Sequence, residues 1–164
     1  MKVVIVYDSM YGNTEKIAQA IGSAFGAQAD LTILRVGDVK PEHFTGLNLL
    51  IIGSPTQRFR PTIAISNWLK ELPQASITGV KAAAFDTRLT WEEISKTPAL
   101  AFFVKLFGSG AYAARSIANE LKKKGAKLVV PAEGFFVKGM EGPLNLGELE
   151  RGALWARRLI EEIQ

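Results

Sequence analysis

The chain contains no cysteine. That excludes disulfides, thiolate nucleophiles, iron–sulfur clusters and thiolate metal sites together. It contains a single histidine, His43, set in a Pro-Glu-His-Phe turn. No Ser/His/Asp relay assembles around it, so it reads as a surface residue, and no catalytic or metal-ligating side chain is expected. Long apolar runs are also missing. Residues 99–104 form the longest later stretch, far short of the roughly 20 residues that span a bilayer. Residues 3–6, after Met-Lys, are too few for a secretion signal. The expectation is a cytoplasmic protein with no transmembrane segment. Neither sign of charge dominates: 20 Lys and Arg stand against 16 Asp and Glu, a net +4. The basic residues are scattered. Their one run, Lys122-Lys123-Lys124, lies where a helix is expected to end, and cations there complement the helix dipole. No nucleic-acid recognition module is visible, and no such partner is expected.

What is present is the composition of a globular protein: 164 residues, 48% hydrophobic and 22% charged. No repeat, linker or low-complexity segment divides it, so one domain over 1–164 is expected. Five runs read as buried strands, at 2–7, 31–36, 47–53, 80–86 and 127–137. Val3-Val4-Ile5-Val6 and Leu49-Leu50-Ile51-Ile52 are continuous rather than alternating, which fits strands covered on both faces of a parallel sheet. Helical periodicity occupies 13–25, 62–71, 111–124 and 146–163, with a weak helical turn after Pro41. Trp68 and Trp155 fall on expected core faces. Strand and helix alternate, so the fold class is α/β with a doubly wound sheet. In such sheets ligands bind beyond the carboxyl ends of the strands, which directs attention to the loops after the first, third and fourth.

The first of these loops reads Asp8-Ser9-Met10-Tyr11-Gly12-Asn13-Thr14-Glu15. Gly12 permits a tight turn, and Ser9, Asn13, Thr14 and the open N–H groups of the next helix donate hydrogen bonds at its positive end. The loop has no lysine, so it is not a Walker A site, and the absence of G-x-G-x-x-G argues against a Rossmann NAD pocket. Uncharged donors suit a terminal phosphate monoester. Helix capping alone is the other reading of the same residues.

These residues carry a resemblance. Ser9-x-x-Gly12-Asn13-Thr14 is similar to the FMN phosphate loop of the flavodoxin family. Gly53-Ser54-Pro55-Thr56 resembles the opening of that family's second FMN loop, and Ala83-Ala84-Phe85-Asp86-Thr87 lies where the third would begin. The resemblance implies a five-stranded parallel sheet in the order 2-1-3-4-5 and FMN as cofactor. It implies that Ser9, Met10, Tyr11, Gly12, Asn13 and Thr14 hold the phosphate. Pro55, Thr56, Gln57, Arg58 and Phe59 would line one side of the isoalloxazine ring, with Phe59 as the stacking residue. Asp86, Thr87, Arg88 and Leu89 would line the other.

The chain also departs from that pattern. Tyr11 stands where the family usually has a small hydroxyl residue. No glycine lies between Ser54 and Gly79, where family members often use one to reorient a carbonyl toward the flavin. Arg58, Arg60 and Arg88 flank the expected ring site, where classical electron carriers are acidic. Positive charge there favours the reduced, anionic cofactor, so a less negative potential is expected. The stretch 90–110, rich in Phe and Leu, is open to several readings. It reads as a lid over FMN, a subunit contact, a docking surface for quinone or membrane, or an extra helix packed on the core. Glu133, Lys138 and Glu141, near the end of the fifth strand, have two readings, as a border of the site or, the leading one, as solvated surface.

The leading expectation is an FMN redox protein that passes electrons to or from a protein partner or a small-molecule acceptor, the cofactor carrying the chemistry. The alternatives are an FMN-dependent oxidoreductase, such as an NAD(P)H:quinone reductase or a protoporphyrinogen dehydrogenase, and a non-redox binding module of the same fold. A phospho-receiver needs clustered acids, and this chain offers Asp8 and Asp86 with Ser54 after the third strand.

Overall fold

The computed structural model describes residues 1–163. In chain order the elements are β1 (Lys2–Tyr7), α1 (Asn13–Ser23), β2 (Asp30–Arg35), β3 (Leu49–Pro55), α2 (Ile63–Glu71) and β4 (Lys81–Leu89). Then come α3 (Trp91–Ser95), α4 (Pro98–Phe107), α5 (Ala113–Lys123), β5 (Lys127–Leu128), β6 (Glu133–Val137) and α6 (Glu148–Ile163). All ladders are parallel, in the order β2-β1-β3-β4-β5, with β6 also paired to β4.

The expected fifth strand, 127–137, is two segments in one position. Both pair with β4, first at Lys81 and Ala82 and then from Phe85 to Leu89. Between Leu128 and Glu133 the edge chain needs two residues more than β4 does over Ala82 to Phe85. Pro131 lies in that excursion and has no N–H for a ladder. β4 itself runs three residues beyond the expected end at Asp86, so Thr87, Arg88 and Leu89 are strand rather than loop. The stretch 90–110 is mostly helical, as α3 and α4. The turn after Pro41 is a short 3-10 helix, Pro41–Phe44. His43 is half-buried there rather than exposed, its Nδ1 accepting from the Lys40 N–H at 2.8 Å.

Side chains alternate across a strand, and here the alternation separates two cores. Val4, Val6, Leu50, Ile52, Ala82 and Ala84 meet Ile65 and Leu69 of α2 and Ile117 and Leu121 of α5. Val3, Ile5, Leu49, Ile51, Ala83 and Phe85 face the other way, onto Ile17 and Ile21 of α1 and Leu159 of α6. Both faces of β1 and β3 are thus dry, which explains their unbroken apolar runs. Phe85, Phe135 and Trp155 form an edge-to-face trio with centroids 5.9, 6.2 and 6.3 Å apart. Geometry of this kind adds roughly 0.5–1.5 kcal/mol per pair beyond burial. Trp155 is core, as expected, while Trp68 packs at the rim of the other core beside Phe44.

Gly53 lies flat against the Phe85 ring. A Cβ there would stand 2.1 Å from Phe85 Cζ, and the ring is fully buried. Gly53→Ala is therefore expected to cost about 1–3 kcal/mol through overpacking, read as a lower midpoint in urea unfolding with an unchanged slope.

Candidate functional site

An all-parallel sheet delivers the carboxyl ends of β1, β3 and β4 to one edge, and three cross-links join the loops beyond them into one unit. The Asp8 N–H donates to the Gly53 carbonyl at 3.1 Å, and the Thr56 N–H to the Thr87 carbonyl at 2.9 Å. The hydroxyls of Thr14 and Thr87 lie 2.8 Å apart in a buried position. Gln57 also reaches Met10, its amide donating to the sulfur.

The first loop keeps donors available. Gly12 is in the left-handed region at φ 82° and no side chain caps α1, so the first-turn N–H groups have no intrahelical acceptor. Ser9 is buried, with a relative exposure of 3%. Among the described residues its Oγ is the buried side-chain polar atom with no hydrogen-bond partner. The nearest helix acid is occupied: Glu15 accepts from the Tyr7 hydroxyl at 2.9 Å. Burial and that carboxylate push the Tyr7 phenol above its ordinary pKa. Asn13 is committed elsewhere, donating from Nδ2 to the Glu141 carbonyl at 3.0 Å. Met10 and Tyr11 are exposed over the turn.

Three other helices that start at this edge, α2, α3 and α5, are closed. Thr62 caps α2, its Oγ1 accepting from Ile65 at 3.3 Å, and Thr90 caps α3 through Glu93 at 3.2 Å. At α5 the Asp86 carboxylate accepts from the Ala114 N–H at 2.8 Å and the Thr56 hydroxyl from the Ala113 N–H at 2.9 Å. Ser54, fully buried, accepts from the Thr62 N–H at 3.0 Å.

Asp86 has a second partner. Arg88 grips it from Nε at 2.5 Å and from a terminal nitrogen at 2.9 Å. The guanidinium carbon stands 3.8 Å from the centre of the Tyr112 ring. Gly134 makes room, since a Cβ there would collide with the Arg88 side chain. Burial pushes the Asp86 carboxyl above its ordinary pKa, and Arg88, the Ala114 N–H and Thr56 offset part of that push. Burial likewise raises the Tyr112 phenol. Arg88, expected beside the ring site as a cation, is instead one half of a nearly buried ion pair. Arg58 and Arg60 remain exposed on the second loop.

That loop is a tight hairpin. Gln57 and Arg60 exchange backbone bonds at 2.8 and 2.9 Å, and the two residues between them, Arg58 and Phe59, have φ of 46° and 66°. Such a turn normally draws Asn-Gly. Here two ordinary side chains sit where L-residues are strained, in the segment between Ser54 and Gly79 that has no glycine. The Phe59 ring lies on Phe103 of α4, centroids 4.9 Å apart and 15° from parallel, and Phe103 lies on Phe107 at 5.4 Å.

Of the residues named from sequence, Ser9, Met10, Gly12, Asn13, Thr14, Thr56, Gln57 and Thr87 converge at the edge. Pro55 ends β3, Leu89 ends β4, and Asp86 and Arg88 brace the edge from below. One contributor escaped sequence reasoning, and a second, the segment carrying Glu141, reads chiefly as surface in the sequence. Arg35, at the end of β2, places its guanidinium on the Ser9 carbonyl and 3.7 Å from the Asp8 carboxylate. A lone arginine at a strand end carries no sequence signal. The segment after β6 closes on α1 through Asn13 and Glu141. Gly142 is required there because a Cβ would come within 2.5 Å of Asn13 Nδ2, and the run of Gly139, Gly142, Pro143 and Gly147 was the available cue.

A doubly wound parallel sheet with an open, glycine-led helix N-terminus after its first strand defines an α/β protein built to take a phosphorylated ligand at that edge. The flavodoxin family model matches residues 5–146. The chain belongs to the flavodoxin family, and membership implies FMN as the cofactor. Comparison with curated protein sequences finds no match. Among solved structures, a flavodoxin from the domain Archaea is 21% identical, with 99% of each chain covered and a TM-score of 0.77. Oxidised flavodoxin 1 from Bacillus cereus is 16% identical over 100% of both chains, TM-score 0.75. The rubredoxin oxygen:oxidoreductase of Desulfovibrio gigas is 18% identical over 99% of this chain and 36% of its own, TM-score 0.72. At these identities the likeness is one of fold.

The turn at Arg58 and Phe59 provides a direct test of the local geometry. Arg58→Gly is expected to raise stability by roughly 0.5–1 kcal/mol by removing left-handed strain, measured by urea unfolding without ligand.

Proposed function

We propose that this flavodoxin-family chain is an electron carrier that holds FMN at the β1–α1 turn and exchanges electrons with a separate protein. The observation that supports it is the Ser9 hydroxyl, buried and unpartnered beside a helix N-terminus that no side chain caps. A phosphate would accept from that hydroxyl and from the first-turn N–H groups. Arg35, which braces the Ser9 carbonyl and pairs with Asp8, would hold the turn in place for the phosphate. Bound FMN supplies one- and two-electron chemistry. The protein's part is to orient and to set the field. Asp86, Arg88 and Tyr112 are engaged with one another or with α5, so the roles left to the chain are binding and electrostatics.

Titration of the purified protein with FMN is expected to perturb the visible flavin spectrum with tight saturation. Ser9→Ala should weaken FMN by about tenfold or more, the loss of one hydrogen bond to a charged group. Riboflavin, which lacks the phosphate, should bind both proteins alike. Equal loss for the two ligands would overturn the assignment of Ser9 to the phosphate.

Arg58 and Arg60 favour the negative charge that reduction adds. Replacing both with glutamate is expected to make the potential of the bound cofactor more negative, on the order of tens of millivolts at low salt and less at high salt. A potentiometric titration of both proteins reads this out.

A second reading is an FMN-dependent oxidoreductase acting on an apolar acceptor. It draws on the aromatic ladder from Phe59 to Phe107 beside the second loop. Steady-state oxidation of NAD(P)H with a quinone separates the two, since a carrier alone turns over almost none.

A further inference from the structure

Helix α4 has an unusual relation to the rest of the molecule. It is ten residues long and buries none of them. Phe102, Leu106 and Phe107 are 65, 63 and 55% exposed, and Phe103 and the nearby Trp91 are exposed as well. Positions 102, 103, 106 and 107 fall on adjoining faces one turn apart, so the apolar side chains form a continuous ridge. A ridge of this kind has nothing to gain from water. No helix of the described residues is long and apolar enough to cross a membrane, so the ridge is not part of a span.

The charges around it narrow the choice of occupant. Lys105 is exposed within α4, its ammonium 5.7 Å from the centre of the Trp91 ring. Arg58 and Arg60 flank Phe59, which is stacked on Phe103. On the acidic side, Glu93 is paired with Lys96 at 2.6 Å, and Glu92 is exposed beside it. The balance is cationic. Isologous pairing with a second copy would bring two faces of the same net positive charge together. A protruding ridge of Phe, Leu and Trp bordered by Lys and Arg matches instead the chemistry of a bilayer interface, with anionic headgroups for the cations and an acyl boundary for the rings.

We propose that the exposed face of α4 docks on an anionic lipid surface, with Phe102, Leu106 and Phe107 entering the interface and Lys105, Arg58 and Arg60 on the headgroups. The Phe59–Phe103 stack fixes this face to the second ligand loop, so docking would turn the ligand-binding edge of the sheet toward the membrane. The proposal does not depend on FMN being bound.

The test is sedimentation of the full chain with vesicles of phosphatidylglycerol and, separately, of phosphatidylcholine. The expected result is binding to the anionic vesicles that falls as salt is raised, with binding to the neutral vesicles at least about tenfold weaker. Phe102→Glu with Leu106→Glu should abolish binding, and because both side chains are exposed the urea midpoint should hold. Lys105→Glu with Arg60→Glu should remove the preference for anionic vesicles while leaving the fold intact. Absence of binding to either vesicle would overturn the proposal, as would unchanged binding by the Phe102/Leu106 variant. Self-association in sedimentation velocity that the same two substitutions disperse, without vesicle binding, would assign the face to a second copy and overturn it equally.

Discussion

Everything at the ligand-binding edge depends on the parallel register of β1, β3 and β4. Because the three strands run the same way and pair without slip, Tyr7 lies beside Gly53 and Gly53 beside Phe85. The chain must leave the sheet three times along a single edge, and each departure starts a loop within hydrogen-bond reach of the next. That register is held by burial on both faces. A one-residue slip would exchange the residues facing α1 and α6 with those facing α2 and α5, and Gly53 would no longer lie under the Phe85 ring.

The helix ends at that edge are finished in different ways, and the difference gives the edge its chemistry. Asp86 and Thr56 close α5, and Thr62 and Thr90 close α2 and α3. Their partial positive charge is already met by oxygen atoms of the chain. α1 begins at Gly12, which has no side chain to offer. The same dipole is therefore left for a ligand, and the buried Ser9 hydroxyl stands beside it. Asp86 does double duty, since the carboxylate that closes α5 also takes the charge of Arg88. Arg88, named from the sequence for the ring site, is thus paired with Asp86 and braces β4.

The second loop couples this edge to the apolar ridge. Its hairpin is tight enough to hold Arg58 and Phe59 in left-handed conformations, and the Phe59 ring is supported by Phe103 rather than by its own loop. Aromatic stacking across that joint ties the geometry of the second loop to α4.

The sequence by itself determined the α/β alternation, the parallel character of β1 and β3 and the helix following Gly12. Each of these is written in residues close along the chain: continuous apolar runs, a 3.6-residue period, a glycine before an open helix. Tertiary structure decided the rest. Thr14 meets Thr87 across 73 positions, Thr56 meets the start of α5 across 57, and Arg35 reaches the Ser9 carbonyl across 26. It decided too that the edge strand splits at Pro131, that Arg88 turns inward, and that Phe59 lies on α4. The physical reason is that local patterns record how a segment prefers to bend and which face it hides, whereas the partner of a polar or aromatic group is chosen by which distant elements the folded sheet brings within a few ångströms.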